Sequence, residues 1–331
     1  MKSAATTAAE LTPLPLRAGK PRTLICGSLA LDTIMVFPDR FSRHILPEQT
    51  RVLSVAFQIG EMRREWGGTA GNIAYNLKAL GGEPVVMATL GDDGASYVDR
   101  LRAQGIGTEG VRVVPGTYTG QAFIITDLDD NQITAFHPGA MNESHRNRVS
   151  DVGDIALGIV APDGREGMRE HVRDLAAAGI PFIFDPGQGL PLFSGAELLE
   201  MIDAADCVTL NDYEGSMLAE RTGIPLEQIA RRVRALVVTL GGEGSRIHAD
   251  GSVIEIPAVK PAALVDPTGC GDAYRAGLLY GIGHGWSWER AGRLASLLGS
   301  IKIASRGGQN HRITREGVAA RYAECFGEQP F

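Results

Sequence analysis

The chain has no run approaching the ~18 consecutive apolar residues that a bilayer-spanning helix needs, so the sequence predicts no membrane crossing. Cysteine is scarce: Cys26, Cys207, Cys270 and Cys325 lie far apart, without the paired spacing of a metal site or disulfide framework. Reduced thiols in a cytoplasmic protein are the expectation. Nor is there an excess of positive charge, since 32 Lys and Arg stand against 39 Asp and Glu for a formal −7. That balance speaks against a nucleic-acid surface and for small-molecule partners. Two familiar nucleotide signatures are also missing. No glycine-rich segment ends in the Gly-Lys-Ser/Thr of a Walker loop, and Gly27 stands alone after the first apolar run, where a dinucleotide fingerprint would need three glycines.

What is present is the composition of a folded globular chain of 331 residues, 44% hydrophobic and 21% charged. Residues 1–20, rich in Ala, Thr and Pro, lack the apolar stretch of a secretory signal and read as a flexible N-terminal tail. The remainder, 21–331, has the length of one large α/β domain. Glycine, at 42 residues, is nearly double its usual share of ~7%, which predicts tight turns or close backbone approach to a ligand.

Along the chain, residues 23–31 read as a buried strand ending at Asp32. Residues 34–62 and 117–137 alternate in the manner of small β segments, the second turning around 127–131. Between them, Ile73, Leu77 and Leu80 mark an amphipathic helix over 69–80, followed by a strand at 85–90 and a helix at 92–104. From Ile155 onward, short apolar runs alternate with helical stretches up to Leu240, the order of a parallel sheet covered on both faces. A β meander and helices at 271–283 and 287–304 follow.

The segment richest in chemistry is Asp266-Pro-Thr-Gly-Cys-Gly-Asp272, which opens the first of those two helices. A glycine-rich turn at a helix start offers unpaired N–H groups and the positive dipole end to a phosphate oxygen. Asp272 would repel a resident phosphate unless a hydroxyl lay between them, a geometry suited to a base for a phosphoryl acceptor. The plainer alternative makes Asp266 and Asp272 ordinary helix caps. Two further segments, taken by themselves, read as local structure: Asn211-Asp-Tyr-Glu214 as a helix-opening cap and Thr239-Leu-Gly-Gly-Glu-Gly244 as a glycine-rich hairpin turn.

These motifs, in this order, resemble those of the ribokinase-like (PfkB) carbohydrate and nucleoside kinases over roughly residues 22–312. The signature Asp-Thr-x-Gly-x-Gly-Asp appears as Asp266 to Asp272 with Pro267 at the position after the first Asp, and Gly67-Gly-Thr-Ala-Gly-Asn72 and Leu90-Gly-Asp-Asp-Gly94 resemble the N-terminal elements. The resemblance is nearest to bacterial adenosine and nucleoside kinases. It implies a three-layer fold with a mainly parallel sheet flanked by helices, and a small β-sheet lid from about 34–62 and 117–137. It implies an ATP-dependent nucleoside kinase acting on a 5′-hydroxyl, with a ribose or fructose kinase as the alternative and a non-catalytic nucleotide sensor as the alternative of another class.

By the same resemblance Asp272 would be the base, and the amides of Gly269, Cys270 and Gly271 the anion hole. Asp32, Gly67, Gly68 and Asn72 would hold the sugar, with Asp32 otherwise only capping a strand turn. Phe37, Phe123 and Phe136 are aromatic candidates for stacking a base, Phe123 and Phe136 in particular, with sheet core as the commoner role of aromatics in alternating strands. ATP would lie against Asn211, Thr239, Gly241, Gly242 and Gly244, with Gly308 and Gln309 near the adenine, and Glu214 would meet Mg²⁺ through water. The resemblance leaves a monovalent cation open as a cofactor, and leaves monomer or homodimer open.

Overall fold

The computed structural model describes residues 21–45, 55–129 and 131–331. The expected tail and residues 46–54 of the first β segment lie outside the described residues. The chain enters a large sheet with β1 (Arg22–Cys26), crosses to a smaller one with β2 (Ala30–Val36) and β3 (Glu61–Gly67), and turns into α1 (Thr69–Ala79). β4 (Glu83–Leu90), α2 (Ala95–Ala103) and β5 (Gly107–Val113) return it to the large sheet, and β6 (Gly120–Thr126) and β7 (Gln132–His137) complete the small one. Strand and helix then alternate through β8 (Leu157–Val160), α3 (Arg165–Ala177), β9 (Phe182–Phe184), α4 (Gly195–Ala204), β10 (Cys207–Asn211), α5 (Asp212–Thr222), α6 (Leu226–Ala230) and β11 (Ala235–Thr239). β12 (Ser245–Ala249) and β13 (Ser252–Ile256) precede the helices α7 (Cys270–Gly283), α8 (Trp288–Lys302) and α9 (Arg315–Phe326).

The large sheet has the order β13-β12-β11-β10-β9-β8-β1-β4-β5, parallel except where β12 and β13 run back along the edge. Its side chains alternate between two cores. Leu24, Cys26, Val208 and Leu210 pack with Met168, Leu198 and Leu218 of α3 to α5, whereas Ile25, Ile159 and Val237 pack with Ile73, Leu278 and Leu294 of α1, α7 and α8. Both faces are therefore covered, giving the three layers expected, and strands buried on both sides read as continuous apolar runs. The parallel strands β1, β9, β10 and β11 end at one rim of the sheet, where open α/β sheets receive ligands.

One apolar run conceals a break. Residues 23–31 are not a single strand: β1 stops at Cys26, the chain turns through Gly27 to Leu29, and Asp32 is the third residue of β2 in the other sheet. Leu29, Ala30 and Leu31 are as buried as β1, so hydrophobicity alone offers no boundary. Two elements escape the sequence pattern. β5 is an edge strand interrupted by Gly107 and Gly110, and α9 presents few apolar residues, anchoring through Val318 and Tyr322.

The small sheet has the order β3-β2-β6-β7; β6 and β7 lie within 117–137, whereas β2 and β3 overlap the expected segment 34–62 only at its two ends. Its register sorts the candidates. Asp32 pairs with Glu65 and with Ala122, and Ala122 with Phe136, so these four share one face. Thr33, Arg64, Phe123 and Ala135 share the other. Beyond β2, Phe37 is buried against Phe41 and Phe57, with the Phe37 and Phe57 rings 4.9 Å apart, and this packing corrects its reading as a free base-stacking platform.

Helices α7 and α8 approach closely because small residues face each other. A β-carbon on Gly277 would lie 2.5 Å from the Ala295 Cα, and one on Gly281 would lie 2.5 Å from the Ala291 Cβ. Gly277→Val should therefore force the helices apart and lower stability by roughly 1–3 kcal/mol or more. Urea unfolding checks this; an unchanged midpoint would mean that the α7–α8 contact is not tightly packed.

Candidate active site

The loop before α7 makes a type II turn over residues 267–270. The Cys270 N–H donates to the Pro267 carbonyl at 3.1 Å, and Gly269 adopts φ 78° and ψ 5°, the conformation that favours glycine at the third turn position. Helix α7 then begins without a side-chain cap. Among the described residues the amides of Gly269, Gly271 and Asp272 have no protein acceptor, which leaves three N–H groups at the positive end of the helix. The expected trio is corrected in one member: the Cys270 amide closes the turn, so that donor is already spent. Asp266 does not cap α7 either. Its two carboxylate oxygens accept from the N–H groups of Thr268 at 2.8 Å and Gly307 at 2.7 Å, pinning the turn to the segment after α8.

Asp272 lies on the first turn of α7, where its Oδ2 accepts from the Asn72 amide at 2.8 Å. Burial pushes its pKa up to about 6, with the charges of Asp185 and Glu214 adding to the shift; the Asn72 hydrogen bond and the Arg275 guanidinium hold it from rising further. A carboxylate of that strength is ionised at neutral pH yet basic enough to take a proton from a polarised hydroxyl. Arg275, one turn further along α7, is buried and donates to both oxygens of Asp185 at 2.6 and 2.9 Å, with Glu214 4.0 Å away. One guanidinium thus serves three carboxylates.

Asn72 is held in turn. Its Oδ1 accepts from Gln309 Nε2 at 3.2 Å, the same Nε2 donates to Tyr97 Oη at 2.8 Å, and Tyr97 donates to the Gly67 carbonyl at 2.6 Å. Gly67 and Gly68 join β3 to α1 with no room for side chains: a β-carbon would come within 2.5 Å of Asp32 Oδ2 at Gly67, and within 2.5 Å of the Ser28 carbonyl at Gly68. Gly308 packs directly on the Asn72 amide. Gly308 and Gln309 accordingly belong to the wall behind Asn72, and the buried inward-facing Gln309 amide corrects its expected place beside an adenine.

Asp32 faces the same region from the small sheet. Its pKa is also raised to about 6, by burial first and then by the charges of Glu65 and Asp266. Glu65 accepts from Asn310 Nδ2 at 2.6 Å, tying β3 to the loop after α8. Phe136, 55% exposed, shares the Asp32 face, whereas Phe123, 40% exposed, lies on the opposite face and is not brought to Asp32. The two aromatic candidates are thus separated by the pleat.

At the rim of the large sheet, Asn211 ends β10 and Thr239 ends β11, paired in register. Asn211 and Glu214 form a reciprocal capping box: the Glu214 N–H donates to Asn211 Oδ1 at 2.7 Å, and the Asn211 N–H to Glu214 Oε2 at 2.8 Å. The cap reading is therefore correct, and it leaves Glu214 Oε1 uncommitted. Burial raises the Glu214 pKa, with Asp185 adding to it. Among the described residues no three His, Cys, Asp or Glu side chains converge as a metal cage. Gly241 and Gly242 are exposed, and β-carbons there would meet nothing within 4 Å, whereas one at Gly244 would collide with the backbone of Ile256.

Sequence reasoning missed Asp185, Arg275, Tyr97 and Glu65. Asp185-Pro-Gly after an apolar strand was a visible signal, as was an arginine three residues beyond Asp272. Nothing local marks Tyr97 or Glu65.

A helix start with open amides, a carboxylate of raised pKa on its first turn and a second carboxylate on the small sheet would suit an anion held beside a hydroxyl group. Residues 31–315 match the model of the pfkB family carbohydrate kinases, and the chain belongs to that family. It is 30% identical over 310 residues to a nucleoside kinase of Methanocaldococcus jannaschii, covering 92% of this chain and 97% of that protein. Among solved structures it is similar to a Burkholderia thailandensis nucleoside kinase in complex with inosine, with 52% identity, a TM-score of 0.84, and coverage of 93% of this chain and 99% of that one. The same relative in complex with ADP-inosine aligns with a TM-score of 0.82 at 53% identity, over 93% of this chain and 97% of that one.

The raised pKa of Asp272 has a consequence for stability. A carboxylate that is harder to ionise folded than unfolded favours folding only while protonated, so its ionisation costs stability as pH rises through about 6. Asp272→Asn should melt at a higher temperature than the parent at pH 8, by an amount on the order of 1–3 kcal/mol, with the gain gone below about pH 4. Thermal unfolding at both pH values checks this; an Asn variant less stable at pH 8 would contradict the assigned environment.

Proposed function

We propose that the protein is an ATP-dependent nucleoside kinase that transfers the γ-phosphoryl group to the 5′-hydroxyl of a purine ribonucleoside. The observation that carries this is Asp272 on the first turn of α7, between open helix-start amides and a sheet face bearing Asp32. Inosine in the Burkholderia relative favours a purine nucleoside over a free sugar. Asp32, ionised at neutral pH, accepts hydrogen bonds from the ribose 2′,3′-diol, and Phe136 on the same face lies against the base.

In the reaction Asn72 occupies Oδ2 of Asp272 and leaves Oδ1 to orient the 5′-hydroxyl and take its proton late in the transfer. The Gly269 and Gly271 amides stabilise charge on the migrating phosphoryl group. ATP lies along the rim at Asn211, Thr239 and Gly241 to Gly244, and the open space over Gly241 and Gly242 supports that placement because no protein packing calls for glycine at 242. Mg²⁺ carried on the triphosphate would neutralise phosphate charge, and Glu214 Oε1 suits contact through water, since Mg²⁺ needs few protein oxygens. The small sheet acts as a lid that excludes water from the acceptor. The unpaired cysteines, with Cys26 and Cys207 buried apart, support a cytoplasmic setting.

A panel of inosine, adenosine, ribose and fructose with ATP and Mg²⁺ tests the reading, with the phosphorylated position determined on the product. Nucleoside 5′-monophosphate is the expected product; turnover of ribose or fructose alone would replace it with a sugar kinase. Asp272→Asn should lower kcat by about 10²–10⁴. Phe136→Ala should raise the nucleoside KM several-fold while Phe123→Ala leaves it near the parent value, and equal effects would place the base elsewhere.

A further inference from the structure

We propose that the side-chain ammonium of Lys302 is a cation built into the chain, a positioning residue that fixes the turn before α7 in place of a bound monovalent ion, so that catalysis needs no added potassium. This rests on the kinase reading above. Lys302 ends α8 and is 0% exposed, and it forms no ion pair among the described residues. Its Nζ instead donates to the backbone carbonyls of Asp266 at 2.8 Å and Ser305 at 2.9 Å. Burial works against the charged form, and the Asp266 and Asp272 carboxylates, though not in contact, favour it while the oriented carbonyl dipoles replace its water.

The two carbonyls belong to the two segments that make the site. Asp266 leads into the turn that exposes the Gly269 and Gly271 amides, and Ser305 leads into Gly307 to Gln309, which brace Asn72. Those segments meet again where Val265 and Asp266 donate to the Ile303 carbonyl at 2.9 and 3.1 Å, and where Gly307 donates to Asp266 Oδ2. The ammonium therefore holds together the anion hole and the wall behind the base. Converging carbonyl oxygens are also what a potassium ion requires. Here those oxygens already face a tethered positive charge, so a free monovalent ion does not fit this donor set.

The test uses the full chain in buffers of equal ionic strength containing potassium, ammonium or tetramethylammonium chloride as the only monovalent salt. With ATP, Mg²⁺ and inosine, the parent rate should change less than about twofold between salts. Lys302→Met should lose about 10²-fold in kcat with the inosine KM little changed. Lys302→Ala, which removes the ammonium and leaves space, should melt several degrees higher in ammonium or potassium than in tetramethylammonium, and should regain at least tenfold in rate; the parent melting temperature should not depend on the salt.

A parent enzyme active in potassium and at least tenfold slower in tetramethylammonium would overturn the proposal, as would a folded Lys302→Met with more than half the parent kcat. Should the variants not fold, the parent's response to the salts decides alone. Lack of any product in every salt would overturn the kinase reading, while the salt dependence of the Lys302→Ala melting temperature still reports on the cation: a rise supports it and none overturns it.

Discussion

The hydrogen bond from Asn72 to Asp272 is the contact on which the site depends. Asn72 can present only its NH₂ group to Asp272, because its carbonyl oxygen already receives Gln309, which in turn is oriented by Tyr97 and the Gly67 carbonyl. The polarity of that chain is fixed from the small sheet to α7. A donor aimed at Asp272 favours its ionised form and occupies one oxygen while the other stays open. The bond also spans helices α1 and α7, joining α1 to the helix whose first amides stand open.

That arrangement concentrates negative charge, and the fold answers it with buried cations. Asp272, Asp185 and Glu214 gather near Arg275, whose guanidinium is bonded to Asp185 on both oxygens. Burial and mutual repulsion raise the Asp272 pKa while Arg275 limits the rise. A less buried Asp272 would be a weaker base, and without Arg275 it would be protonated at neutral pH more of the time. Base strength is therefore a balance among Asp185 just past β9, Glu214 of α5 and Arg275 of α7, which meet at the rim where the parallel strands end.

The two-core architecture explains why the rim can be so polar. Each face of the large sheet buries its own apolar cluster, so stability rests on packing away from the polar rim. The close α7–α8 contact is part of that frame: small residues bring the two backbones together and set α7, hence Asp272, at a fixed depth. The small sheet carries exposed residues along the whole of β7.

Much of this was legible in the residues themselves. The alternation after Ile155 announces a covered parallel sheet, and the glycines of 269–272 announce a helix start open to an anion, because both follow from local periodicity and local backbone geometry. What stayed hidden depends on partners distant in sequence. Asp32 changes sheets because burial on both sides of the Gly27 turn looks the same along the chain; Cys270 loses its amide to a turn whose type is set only when Gly269 takes positive φ. Phe123 and Phe136 are separated by strand register, and Gln309 faces inward because Asn72 and Tyr97 await it. Spacing in the sequence determined which segments could form helices, strands and an anion-binding turn; only tertiary packing decided which face each side chain took and which charges met, since electrostatic and hydrogen-bond energies depend on distances the chain acquires when it folds.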